Sequence, residues 1–134
     1  MKVGIPREIH ESEQRVAGVP STVQQIIKAG FEVQVEGGAG FGARISNGSY
    51  AQVGATVIED TARLWETSDL ILKVRPPEEQ EVDLIAQGSG LISFIQPASN
   101  EDLLKRLASK NVTVLAMDCI PRISRAQKMD ALSS

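Results

Sequence analysis

Short apolar runs alternate with segments of helical period along almost the whole chain, and this alternation constrains the fold more than any other feature. Six runs read as strands: Val3 to Ile5, Glu32 to Val35, Thr56 to Ile58, Leu70 to Val74, Leu91 to Ile95 and Val112 to Met117. Several are near-continuous, as in strands covered on both faces. Between them Ser21 to Ala29, Ser49 to Val53, Thr61 to Thr67, Glu78 to Ala86 and Glu101 to Lys110 carry helical patterns. Connections this short imply right-handed crossovers and a mostly parallel sheet wound on both sides.

The expected architecture is therefore α/β, a three-layer, doubly wound sheet of Rossmann-like or flavodoxin-like kind in a single domain. Helix ends add detail. Ser21 is expected to cap the helix whose Val23, Ile26 and Ile27 form an apolar stripe, with Gly30 as its left-handed terminator. Asn100 is expected to cap the helix carrying Leu103, Leu104 and Leu107. No internal repeat or linker interrupts the pattern.

Composition removes several function classes. A chain of 134 residues with a formal net charge of -3 can bury one core without staples. Its 14 Lys and Arg are dispersed, and one Trp, one Tyr and three Phe offer little base stacking, so nucleic acid is not an expected partner. One cysteine and one histidine, Cys119 and His10, make neither a disulfide framework nor a typical zinc site. Runs such as Leu70 to Leu72 fall far short of the ~20 residues of a membrane helix. A start without a cleavable leader and a lone thiol read as a cytoplasmic or matrix compartment. The helix beginning at Ser124 has barely started at Ser134, so the sequence reads as a truncated piece.

Ligands of an open parallel sheet bind beyond the carboxyl ends of its strands. Those ends carry Pro6-Arg7-Glu8 with Glu11, Glu13, Gln14 and Arg15, then Lys73-Val74-Arg75, Gln96-Pro97, and Asp118 with Arg122. The run Glu36-Gly37-Gly38-Ala39-Gly40-Phe41-Gly42 fails the dinucleotide fingerprint in every register and reads as a structural loop. Lys73 reads as a solvated strand-end cation, with pairing to a substrate carboxylate or carbonyl as the alternative. His10 reads as exposed, and Cys119 as a small buried residue, with a reactive thiolate as the alternative. Ser124 and Gln127 fit a capping box, and Gln127, Asp130 and Ser134 then fall near one helical face behind Arg122. Such a face is an ordinary wet surface or a grip for an amide-bearing ring such as nicotinamide.

Gly4-Ile5-Pro6-Arg7-Glu8, Gln14-Arg15-Val16-Ala17, Leu72-Lys73-Val74 and the run Pro121 to Ser134 resemble the N-terminal domain shared by alanine dehydrogenase and the alpha subunit of proton-translocating NAD(P) transhydrogenase. The resemblance covers essentially all of residues 1–134. Arg-Ile-Ser-Arg-Ala-Gln followed by Met-Asp-Ala-Leu-Ser-Ser is characteristic of the transhydrogenase. Alanine dehydrogenase is similar at Arg15 and Lys73, which there would hold the substrate carboxylate and carbonyl, but it uses a histidine as acid/base where this chain has Gln96. Glutamine exchanges no proton near neutral pH. A direct hydride transfer needs no such group, so no acid/base residue is expected.

The resemblance implies that Arg122, Gln127, Asp130 and Ser133 surround the nicotinamide and nearby ribose of NAD(H), with no metal. It implies NADP(H) on a partner domain or beta subunit, a homodimer, and a membrane-spanning proton channel beside a chain lying on the inner face of the membrane. Under it, Arg15 and Lys73 are expected to be retained through shared ancestry or through structural pairing with Glu8, Glu11 or Glu13. A Gly-rich NAD-binding domain is expected after residue 134 and is absent from this sequence. The fragment alone is expected to be inactive, with weak or undetectable binding of NADH. Two other readings are an alanine dehydrogenase-like amino-acid dehydrogenase using Arg15 and Lys73, and a dimerisation or docking module without chemistry.

Overall fold

All six apolar runs form strands and all five helical patterns form helices in the computed structural model, which describes residues 1–119. The strands are β1 (Lys2–Ile5), β2 (Glu32–Glu36), β3 (Thr56–Ile58), β4 (Leu70–Leu72), β5 (Gly90–Ser93) and β6 (Thr113–Ala116). The helices are α1 (Pro20–Lys28), α2 (Asn47–Gln52), α3 (Thr61–Thr67), α4 (Glu79–Leu84) and α5 (Glu101–Ser109). Every pairing is parallel and the order is β3-β2-β1-β4-β5-β6. Of the two windings expected, this is the Rossmann order: outward from β1, back across it, and outward again.

Central β1 carries the register, with Val3 opposite Val33 on one side and Leu70 on the other. From Val3 to Ile5, β1 is buried on both faces and runs without alternation, whereas β2 alternates its valines with Gln34 and Glu36, which are buried and hydrogen-bonded to Ser68 and Thr61. One face packs Val23 of α1 and Tyr50 of α2 against Val3, Ile5, Val33 and Val35. The other packs Leu64 and Trp65 of α3, Val82 of α4 and Leu107 of α5 against Ile71, Leu91 and Ile95. Each such side chain contributes about 1.5–3 kcal/mol by burial, so the two layers dominate the stability. The Tyr50 hydroxyl donates to the Gly18 carbonyl at 2.7 Å and fixes the chain entering α1.

Two expected caps are corrected. Ser21 lies inside α1, because Pro20 takes the first helical position and leaves Val19, which makes no side-chain bond, as N-cap. Asn100 occupies the N-cap of α5, but its amide turns back to donate to the carbonyls of Ile95 at 2.7 Å and Gln96 at 3.2 Å. Glu101 and Asp102 supply negative charge to that first turn instead. Gly30 terminates α1 at φ +103°, as its left-handed position requires. Among the described residues no helix is long and apolar enough to cross a membrane.

Candidate functional site

The crossovers leaving β1 and β4 run to opposite faces of the sheet, so a crevice opens where these adjacent strands end. Into it β1 delivers Pro6-Arg7-Glu8 and β4 delivers Lys73-Val74-Arg75. Lys73 is buried, which corrects the expectation of a solvated cation: its side chain is 1% exposed and its ammonium donates to Glu8 Oε1 at 3.0 Å and Glu81 Oε2 at 3.2 Å. Glu8 also accepts the N–H groups of Val74 at 2.9 Å and Arg75 at 3.1 Å. Glu81 is tied from its other oxygen to the Glu78 N–H at 2.9 Å, the reciprocal half of the cap that opens α4. Three ionisable side chains, one basic and two acidic, thus meet out of water. Burial pushes the Glu81 carboxyl up, Lys73 opposes it, and Glu8 adds to it.

A second cluster lies on the same loop. Glu13, its side chain 3% exposed, accepts Arg15 through the backbone N–H and Nε on one oxygen and Nη2 on the other, each at 2.8 Å. Arg75 adds its Nε at 3.0 Å and ties the loop to the end of β4. Of the three acids expected as structural partners, Glu8 and Glu13 are used. The glycine run supplies the floor: a Cβ on Gly42 would stand 2.9 Å from the backbone of Gln14, so only glycine lets the two loops approach this closely. Its residues Phe41–Ala43 form a short 3-10 turn, and the Gly38 N–H donates to Asn47 at 2.9 Å, in keeping with a structural loop.

Arg15 holds the Glu13 carboxyl well below its ordinary 4.5, at about 2. A depressed carboxyl contributes stability that is fully present above its unfolded value and is lost as pH falls through the folded value. Asp118, lowered by the N–H groups of Ile95 and Gln96, acts with the same sign, while the raised Glu81 acts with the opposite one. The stability advantage of the wild type over Glu13→Gln is therefore expected to shrink as pH drops from about 4.5 to about 2. Urea midpoints across that interval check it, and a constant difference between the two proteins would discard the assignment.

Beyond β5 the chain bends at Gln96, which adopts the left-handed backbone at φ 54°. That conformation is uncommon for a non-glycine residue and is held here from both sides. The Asp118 carboxylate accepts the N–H groups of Ile95 at 3.1 Å and Gln96 at 2.7 Å, while Asn100 binds the two carbonyls. The exposed Gln96 side chain stands in a cleft of about 700 Å³ lined also by His10, Arg75, Glu78, Asn100 and Arg106. His10 is exposed as expected, with Nδ1 at 2.9 Å from the Ser12 hydroxyl.

The structure brings Lys73, Arg15 and Gln96 to one rim, with the first two already bound to carboxylates. Arg122, Gln127, Asp130, Ser133 and the Ser124 cap lie outside the described residues, as does the Cys119 side chain. Two participants escape sequence reading, Glu81 and Glu36. Glu36, buried at the end of β2, accepts the Arg7 N–H at 2.9 Å and the Thr61 hydroxyl at 2.6 Å. In a dinucleotide-binding domain of this strand order, an acid near that position holds the ribose and a Gly-rich turn after β1 cradles the pyrophosphate. Here the acid is occupied and the turn is Pro6-Arg7-Glu8, so the described residues do not fit the adenine and pyrophosphate half of such a cofactor.

Residues 4–134 match the family model described as alanine dehydrogenase/PNT, N-terminal domain. The chain is 48% identical over 134 residues to the NAD(P) transhydrogenase subunit alpha of Haemophilus influenzae, covering 100% of this chain and 26% of that protein. It therefore spans about a quarter of that relative's length. Among solved structures, a transhydrogenase from Sinorhizobium meliloti superposes with a TM-score of 0.90 at 41% identity, over 99% of this chain and 40% of the other. An L-alanine dehydrogenase superposes with a TM-score of 0.82 at 32% identity, over 87% of this chain and 32% of the other.

Proposed function

Because the chain belongs to the alanine dehydrogenase/PNT N-terminal domain family, we propose that it serves in the NAD(H)-binding alpha subunit of a proton-translocating NAD(P) transhydrogenase. The observation that carries this reading is its greater identity to transhydrogenase alpha subunits, 48–49%, than to alanine dehydrogenases, 32–36%. Gln96 supports it, since the residue at the mouth of the cleft cannot carry a proton. The reaction is hydride transfer from NADH to NADP⁺, for which a protein must position two rings and exclude water. The nicotinamide group supplies the hydride chemistry when bound.

This chain's own part is orientation. Arg122 and Gln127 fit the carboxamide and ring, and Asp130 and Ser133 fit the polar edge of the adjoining ribose. Adenine and pyrophosphate fall to a following Gly-rich domain, consistent with the occupied Glu36 and the missing turn after β1. The assembly comprises a homodimer of this subunit, a partner domain or beta subunit with NADP(H), and a membrane-spanning proton channel, with this chain peripheral on the cytoplasmic or matrix face.

Grafting residues 1–134 onto the remainder of the Haemophilus influenzae subunit alpha, with an NADP(H)-binding partner present, tests the proposal. NADH is expected to reduce an NADP analogue in this chimera, with no oxidation driven by pyruvate and ammonium. Gln127→Ala is expected to slow transfer by about tenfold to a hundredfold through loss of ring alignment. Pyruvate-driven oxidation without transfer between nucleotides would assign the chain to amino-acid dehydrogenation instead.

A further inference from the structure

We propose that Asp118 is a positioning residue for hydride transfer: by clamping the end of β6 to the bend after β5, it fixes the point from which the nicotinamide-orienting residues depart. The inference rests on the role proposed above for Arg122, Gln127, Asp130 and Ser133. The last paired residues of the two strands are Ser93 and Ala116. Beyond them a side chain takes over from the backbone ladder: the Asp118 carboxylate, in the short turn Met117–Cys119, accepts the N–H groups of Ile95 at 3.1 Å and Gln96 at 2.7 Å, one on each oxygen. Ile95 is fully buried in the core, so this contact ties the end of β6 to a rigid point. The Ile95 and Gln96 N–H groups hold the carboxyl below the ordinary aspartate range, and the bonds are charge-assisted near neutral pH.

The backbone of the bend depends on that clamp. Gln96 stands at φ 54° and ψ 64°, a region that residues with side chains seldom occupy. Pro97 disfavours the right-handed helical alternative, which leaves the extended one as the competitor. Asp118 takes up both N–H groups of the bend and Asn100 both carbonyls, but only Asp118 belongs to the chain leaving β6. Without the carboxylate, Gln96 relaxes towards extended backbone and the end of β6 is released from β5. Three residues, one of them proline, separate Asp118 from Arg122, so a displacement at the clamp passes on with little slack. Under the proposed reading a following domain holds the rest of the cofactor. A loose clamp therefore lowers the rate of transfer rather than the affinity for NADH.

The test is Asp118→Asn, nearly isosteric and uncharged, in the chimera with the Haemophilus influenzae subunit alpha and an NADP(H)-binding partner. Relative to the unsubstituted chimera, kcat for reduction of an NADP analogue is expected to fall about tenfold while KM for NADH changes by less than about twofold, the signature of a misplaced ring. The isotope effect with NADH deuterated at the transferred position is expected to rise, because transfer itself becomes more limiting. Val33→Ala, which removes core volume from β2, three strands away from β5, is the stability control. It is expected to change kcat by less than about twofold and to leave the isotope effect as it was. Asp118→Glu restores the charge one methylene further out and is expected to recover part of the lost rate. Unchanged kcat in Asp118→Asn, a loss carried by KM, a fall in kcat with an unchanged isotope effect, or loss of the folded state in Asp118→Asn and Asp118→Glu alike would each overturn the proposal. An unsubstituted chimera that moves no hydride between nucleotides overturns the transhydrogenase reading and this inference with it. One that moves hydride equally well with and without the Asp118 carboxylate overturns this inference alone.

Discussion

Replacing Lys73 by methionine is expected to cost about 3–5 kcal/mol near neutral pH, the penalty for leaving buried charges without their partner. Methionine keeps most of the stem's volume, so the loss reports charge rather than packing. Glu8 and Glu81 would then face each other with no cation between them, inside a site where all three side chains are 1–3% exposed. In that variant the pair of carboxyls binds protons more tightly than the unfolded chain does. A raised carboxyl contributes stability below the unfolded value and loses it as pH climbs through the folded one. The deficit of Lys73→Met is therefore expected to be largest at neutral pH and to shrink on acidification towards the ordinary glutamate range. Urea midpoints at several pH values provide the check, and a deficit that stays flat would trace the loss to packing. Glu81→Gln offers the contrast. It removes a carboxyl that burial already pushes up and leaves the Lys73–Glu8 pair in place, so it is expected to cost far less than Lys73→Met.

The second large effect is expected at Trp65, fully buried on α3 among Leu64, Ile71, Val82 and Leu91. Trp65→Ala is expected to cost about 3–5 kcal/mol, since the removed ring leaves a cavity that the short helix and the sheet beneath cannot close. Trp65→Phe separates ring volume from the indole N–H. The Nε1 atom has no hydrogen-bond partner among the described residues, and an unsatisfied buried donor costs about 1–3 kcal/mol. Phenylalanine sheds that cost while keeping much of the apolar contact, so its loss is expected to be less than half that of alanine. Circular dichroism is the readout, because the substitution removes the chain's one tryptophan. Equal losses for the two variants would show that indole size alone matters here.

The elements were legible because their signals are local. Apolar runs bounded by glycine and proline mark β1 to β6 with errors of one or two residues, and the crossover rule yields the winding once the alternation is seen. Arg15 and Glu13 stand two residues apart, so their pairing was within reach of the sequence. The burial of Lys73 was not, since it depends on Glu8 arriving from 65 residues away. Spacing cannot tell a lysine that ends in water from one that ends on two carboxylates. Glu81 carried a partial signal, the three-residue interval from Glu78 that marks a capping box, but nothing in that interval says which way its second oxygen points. The left-handed backbone of Gln96 is likewise set by Asp118 from the next strand's end, and non-glycine residues give no local warning of it.

The position of β1 in the middle of the sheet also sets a schedule for the chain as it is made. Its first partner, β2, emerges soon after, and β1 to β3 can close as a local unit of parallel pairs. Its second partner, β4, begins at Leu70, so at about 5–20 residues per second the other edge of β1 stays open for roughly 3–13 s of synthesis. Throughout that interval the backbone of Val3 and Gly4 is an unpaired strand edge beside exposed apolar side chains, the condition under which nascent chains pair with the wrong neighbour. The step that ends the exposure also carries Lys73 to Glu8. Sealing the edge and neutralising the buried charge are one event, and a ribosome-bound chain stopped before Leu70 has completed neither.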